Sequence, residues 1–183
     1  MQVEHNQRRI PQTFVANFSL DATLLPGLAF KTSYSSDWVF QSLKNVVPVY
    51  ELNSTTKNAN SKVDDEKRES SNWQWENVLS YNKAFGQHNI GALVGTTMSS
   101  YHYSNLAGTD YDLLVVDIDK GYIDTATAAE EMSKVSGGAN DHRIASVFGR
   151  VNYNYDEKYL FEAVVRRDGS SNFGRKYQYA TFP

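Results

Sequence analysis

In the stretch TFVANFSLDATLLPG, the residues Phe14, Ala16, Phe18, Leu20, Ala22 and Leu24 share one face of an extended chain. Val15, Asn17, Ser19, Asp21 and Thr23 share the other. The alternation runs for about ten residues, longer than the five or six of an ordinary globular strand, and Pro26-Gly27 then marks a tight turn. Between residues 28 and 40, Leu28, Phe30, Tyr34, Trp38 and Phe40 oppose Lys31, Ser33, Ser35 and Asp37. The pattern returns in WQWENVLSYNKAF, where Trp73, Trp75, Leu79, Tyr81 and Phe85 are in phase. Gly86-Gln87 turns the chain into a segment in which Ile90, Ala92, Val94 and Met98 agree and Leu93 does not. A last pair follows, with Val147, Val151, Tyr153 and Tyr155 in one strand and Tyr159, Phe161, Ala163 and Val165 in the next, joined at Asp156 to Lys158. Tyr177 to Pro183 reads as the opening of one more strand, so the sequence is expected to be an internal stretch of a longer protein.

Two tracts interrupt the alternation. Residues 41–71, with NSTTKNANSKVDDEKRESSN, and residues 104–142 are polar and read as long loops. The second contains TATAAEEMSKV, which predicts a short helix with a capping box from Thr127 to Glu130 and a stop at Gly137-Gly138. Residues 1–11 read as a polar lead-in without the apolar stretch of a signal peptide. The expected fold is therefore all-β, an antiparallel up-and-down meander of about six long strands over residues 12–183. All tight turns fall on one end of the sheet, and both long loops fall on the other. Short turns opposite long loops, on strands of this length, predict part of a large transmembrane β-barrel.

Aromatic residues near strand ends, including Trp73, Trp75, Tyr101, Tyr153, Tyr155 and Tyr159, suit the two interfacial girdles of such a barrel. A water-filled lumen would hydrate Asp21, Lys31, Glu76, Arg150 and Arg166 on the polar face. The alternative is a soluble, secreted β-sandwich that binds glycans, whose outer face is also polar. Composition narrows the function classes. Acids and bases are interspersed and the formal net charge is −3, so there is no nucleic-acid footprint. The chain has no cysteine, which excludes disulfides, thiolate metal sites and cysteine nucleophiles. His5, His88, His102 and His142 lack metal-ligand spacing, and no catalytic constellation can be argued from residue order. Neither an enzyme activity nor a cofactor is expected.

SVFGRVNYNYDEKYLFEAVVRRDGSSNFG and the closing YATFP closely resemble a hallmark stretch of the SusC/RagA family of TonB-dependent outer-membrane transporters. The matching residues are Phe148 to Tyr153, Arg166 to Ser171, Phe173-Gly174 and Phe182-Pro183. LLPGLAFKTSYSSDW and ENVLSYNKAFGQHNIGALVGTT look like earlier hairpins of the same family. The resemblance implies a nutrient importer of the cell outer membrane for oligosaccharides or peptides, in which a barrel of about 22 strands encloses a plug. It implies three partners beside the substrate: a SusD-like surface lipoprotein, TonB acting through a plug region, and outer-membrane lipid. A stretch of about six strands would be a fragment, not transport-competent alone.

Seven residues are candidates for substrate or partner contact. Tyr101, Tyr103, Tyr111 and Tyr122 are assigned to the outward loops, where aromatic faces pack on the C–H surfaces of sugars. They serve equally well as girdle or loop-packing residues. Arg166, Arg167 and Asp168 would lie at the barrel mouth, or form a strand-end ion pair followed by an Asp-Gly turn. DIDKG, from Asp117 to Gly121, faintly resembles a calcium loop but lacks its later ligands and reads as a solvated acidic loop.

Overall fold

The computed structural model describes residues 6–183. The six expected strands are β1 (Asn6–Leu25), β2 (Leu28–Val47), β5 (Lys62–Phe85), β6 (His88–Tyr111), β7 (Lys134–Tyr155) and β8 (Tyr159–Ser170). A small hairpin, β3 (Tyr50–Glu51) with β4 (Lys57–Asn58), decorates the connection between β2 and β5. The strand expected at the close is β9 (Tyr179–Phe182), which pairs antiparallel with β8. The main sheet has the order β1-β2-β5-β6-β7-β8-β9, so every long strand neighbours the next in sequence.

Three features differ from expectation. Strand β1 already includes residues 6–11 of the presumed lead-in, and His5 lies outside the described residues. The loops are shorter than 41–71 and 104–142, because β2, β5, β6 and β7 continue into both tracts. A strand needs only about 9–11 residues to cross hydrocarbon. Strands of 24 residues, such as β5 and β6, extend far beyond that. Backbone pairing then continues without any apolar/polar alternation to announce it. The third difference is the helix expected in TATAAEEMSKV. In its place stand two 3-10 turns, Ile123–Thr125 and Glu130–Met132. Thr127, the presumed cap, donates its hydroxyl to the carbonyl of Asp112 at 2.8 Å, and Ala126 bridges Leu113. Long-range pairing has displaced local helix propensity.

The chain divides into two compact units. Val15–Asp37, Ser71–His102 and Asp141–Pro183 form the unit that carries the three tight turns. Here the β7–β8 register places Val151 opposite Ala163, Tyr153 opposite Phe161 and Tyr155 opposite Tyr159 on one face. Arg150 opposite Val164 and Asn152 opposite Glu162 lie on the other. Cross-strand contacts extend both faces. Tyr34 stacks on Trp73, and Trp75 Nε1 donates to Thr32 Oγ1 at 2.9 Å. Lys31 approaches Asp21, Thr97 donates to Glu76, and Arg150 pairs with Glu162 at 2.9 Å. The apolar face lies bare. Phe18 is 63 % exposed and Phe161 61 %. A sandwich needs a second sheet over that face, and β3–β4 has only two residues per strand. The sandwich alternative is not the fold.

Met1–Phe14, Trp38–Ser70 and Tyr103–Asn140 form the unit that carries the long connections. It holds the buried apolar cluster of the described residues: Val46, Val63 and Leu113, with Ile118 and Ala126 packed against them.

Candidate functional site

The loop-bearing unit builds its polar face from a period-two run in β5. Lys62, Asp64, Glu66 and Arg68 project on the same side, because alternate residues of a strand share a face. Asp64 accepts hydrogen bonds from Thr109 Oγ1 at 2.7 Å and Asn45 Nδ2 at 3.2 Å, and pairs with Lys62 Nζ at 2.9 Å. Glu66 takes two parallel bonds from Arg68, Nε to Oε1 at 2.7 Å and Nη2 to Oε2 at 2.8 Å. Asn105 Nδ2 adds a third at 3.2 Å. Such forked pairs fix geometry as well as charge. The run lies well outside the apolar band of β5, which begins at Trp73. Burial alone would raise the pKa of Asp64, but hydrogen bonds from Lys62 and Thr109, the Lys62 charge and the Asn45 amide outweigh it and hold the group below its ordinary value. The Arg68 hydrogen bond lowers Glu66 against its own desolvation, and the reciprocal bond from Glu66 raises Arg68. The face is thus lined with fixed, charged and hydrogen-bonding groups.

The outward connection after β6 is strapped down over the Val46, Val63 and Leu113 cluster. Ser61, itself buried, accepts the Leu113 N–H through Oγ at 2.8 Å and the Asp112 N–H through its carbonyl at 2.8 Å. Asp112 takes a left-handed backbone with φ 57, and Asn60 Nδ2 donates to its carboxylate at 2.8 Å. Asp117, from the calcium-like DIDKG, accepts the N–H of Asp119 at 2.8 Å, while Asp119 pairs with Arg8 at 2.6 Å. These carboxylates are engaged within the chain, Asp112 by Asn60, Asp117 within its own loop and Asp119 by Arg8 of β1. No group of three or more His, Asp or Glu among the described residues is placed to hold a metal ion.

The seven candidates are distributed as follows. Tyr101, Tyr103 and Tyr111 are not loop residues: all three lie within β6. Tyr103 and Tyr111 belong to the loop-bearing unit, on the β6 side that also presents Asn105 and Thr109. Tyr101 belongs to the other unit. Tyr122 does lie in the connection, exposed, with Lys44 Nζ 3.8 Å above its ring. The Asp-Gly turn is absent, since β8 continues through Gly169 to Ser170. Arg166 Nε does pair with Asp168 Oδ1 at 2.7 Å, and Arg166 Nη2 reaches Ser146 Oγ at 3.1 Å. Strand alternation separates Arg167 from them. It stands opposite Val147 on the apolar face, its guanidinium 5.2 Å from the ring centre of Tyr179. The Lys62–Arg68 run was missed as loop, because the nearly unbroken charges of KVDDEKRE carry no period-two signal to mark it as strand.

No family model matches the chain. The TonB-dependent receptor P3 of Formosa agariphila is 30 % identical over 182 residues, which take in 98 % of this chain and 18 % of that receptor. The TonB-dependent receptor SusC of Bacteroides thetaiotaomicron is 24 % identical over 181 residues, 97 % of this chain and 17 % of that protein. Over nearly its whole length the chain is similar to TonB-dependent receptors, SusC among them. It spans less than a fifth of the length of these curated relatives. The RagAB peptide transporter has the same fold, with a TM-score of 0.85 at 16 % identity over 97 % of this chain and 19 % of that one. The RagAB peptide importer in its open-open state matches with a TM-score of 0.86 at 17 % identity. In this chain the hallmark FGRVNY lies inside β7 and RRDGS closes β8. Its antiparallel sheet has the fold of the matching stretch of the RagAB peptide transporter.

Proposed function

We propose that this chain forms one sector of the barrel wall of an outer-membrane nutrient importer, energised through TonB and capped by a SusD-like lipoprotein. The bare apolar face carries this reading. A row of large side chains such as Phe14, Phe18, Leu20, Leu24, Val151, Phe161 and Val165 is exposed, and soluble monomers rarely expose contiguous apolar surface on that scale. Lipid is the solvent that such a face fits. The chain covers 18 % of the TonB-dependent receptor P3, so in this reading further strands flank β1 and β9 and satisfy their outer backbone groups. Hence the sector is not transport-competent alone. Its work is to bind and pass a solute, with no covalent step. Oligosaccharide or peptide would meet the polar face beside Tyr103 and the exposed ring of Tyr122. Arg166 and Asp168 hold one another and Ser146, which suits wall stiffening more than solute capture.

The test is fractionation with uptake, in cells carrying the gene and in cells lacking it. The protein is expected in the outer-membrane fraction. Uptake of a labelled oligosaccharide or peptide should fall to background when the gene is deleted, and also when a protonophore collapses the energy supply. Recovery of the protein in a soluble fraction would refute the proposal.

A further inference from the structure

The apolar face of β7, β8 and β9 carries two arginines that the importer reading does not use. Arg143 lies on β7, two same-face steps beyond Val147, and Arg167 lies opposite Val147 on β8. Both are exposed, and neither has a carboxylate within ion-pair distance among the described residues. The charges of the opposite face behave differently: Arg150 is paired with Glu162 and Arg166 with Asp168. Cations left single at the edge of an apolar face call for an anion supplied from outside the chain.

The surface between them is shaped. Tyr179 lies over Gly169, and a Cβ built there would meet the ring at 2.6 Å, so the glycine is what lets the ring lie flat. One hollow, of about 330 Å³, has Trp73, Met98, Arg143 and Tyr179 in its wall. A second, of about 270 Å³, is lined by Met98, Ala145, Val147, Arg167 and Tyr179. Each hollow has one guanidinium in its lining; the second is mainly apolar, while the first mixes Trp73 and Met98 with serines and Gln178.

Depth fixes what can fill them. Arg167 lies about 36 Å along the strand from Asp156 at the usual rise per residue, or about 27 Å of height at barrel tilt. An apolar band is about 25 Å tall, so Arg167 stands at its far boundary, on the loop side. Tyr153, Tyr155 and Tyr159 mark the turn-side boundary, and Trp73 and Tyr179 mark this one. We propose that Arg143, Arg167 and the Tyr179 ring form a binding site for the phosphate headgroup of an outer-leaflet lipid, whose acyl chains lie along Met98, Ala145 and Val147. The guanidinium is suited to phosphate because its planar fork meets two oxygens at once. The site rests on the barrel reading above, since it presumes lipid on this face.

Native mass spectrometry of the protein, expressed from its own gene and purified in mild detergent, tests the site. The probes are phosphatidic acid and diacylglycerol with identical acyl chains, which differ only in the phosphate. Phosphatidic acid should be retained in preference. Arg167→Gln should weaken that retention about fivefold, and Arg143→Gln with Arg167→Gln about 25-fold, from the usual contribution of one basic side chain near an anionic surface. Arg150→Gln, on the opposite face, should leave it unchanged. Unchanged retention by the double variant, equal retention of diacylglycerol, or displacement by millimolar inorganic phosphate would each overturn the site. Retention of both lipids without preference would leave the barrel reading intact. A protein that carries no lipid and stays soluble without detergent would overturn both.

Discussion

Ala163→Lys is expected to destabilise the membrane-embedded protein by about 2–4 kcal/mol, whereas Val164→Lys, one residue further along, costs less than about 1 kcal/mol. The two positions share a depth and differ in face. Ala163 is paired with Val151 and flanked on its own side by Phe161 and Val165. An ammonium placed there would have to leave water for hydrocarbon. Val164 stands opposite Arg150, on the side where Asn152 and Glu162 already lie. There the new lysine stays hydrated, and Arg150 remains neutralised by Glu162 at 2.9 Å. Urea unfolding in lipid vesicles, followed by tryptophan emission, measures both variants. Equal costs at the two sites would mean that the faces do not see different solvents.

Gly27→Val is expected to cost about 2 kcal/mol more than Gly86→Val, although both glycines sit in tight turns with positive φ. At Gly86, with φ 57, nothing lies within 4 Å of an added Cβ, so valine there suffers only the left-handed backbone penalty of about 1–2 kcal/mol. Gly27, with φ 85, faces a second obstacle. An added Cβ would come within 2.3 Å of the Asn82 carbonyl oxygen. That backbone cannot retreat freely, because the Asn82 N–H donates to the Gly27 carbonyl at 2.8 Å. The first turn is thereby stitched to β5, and a side chain at 27 must break that bond or bend the strand. The same unfolding assay reads the difference, and equal costs would show that the stitch contributes nothing.

The parts of this fold legible in the sequence are those where one face of a strand is apolar and bare and the other polar, the faces that the proposed reading gives to hydrocarbon and water. Phe14 to Leu24, Trp73 to Phe85 and Tyr159 to Val165 alternate because each second residue meets a different solvent. All three tight turns were legible for the same reason, as short breaks between such runs. Where both faces are polar the code falls silent, and Lys62 to Ser71, though paired strand, looks like loop. The helix expected at Thr127 failed because Asp112 and Leu113, far off in sequence, claim Thr127 and Ala126. The site residues divide along the same line. Tyr103 could be named from its type, but its partnership with the Lys62–Arg68 run depends on register across β5 and β6. For Arg167 the phase was available: counting two residues on from Val165 places it on the apolar face. Reading RRDG as a turn concealed that.

The central claim is that lipid and water divide β8 residue by residue, and β8 and its neighbours in this chain contribute no cysteine of their own to a labelling test. Single cysteines placed in turn from Phe161 to Arg166, in the protein within its native outer membrane, would be exposed to a small charged thiol reagent that does not enter hydrocarbon. The account predicts labelling at 162, 164 and 166 and protection at 161, 163 and 165. Uniform labelling, or protection that runs without a period of two, would contradict it.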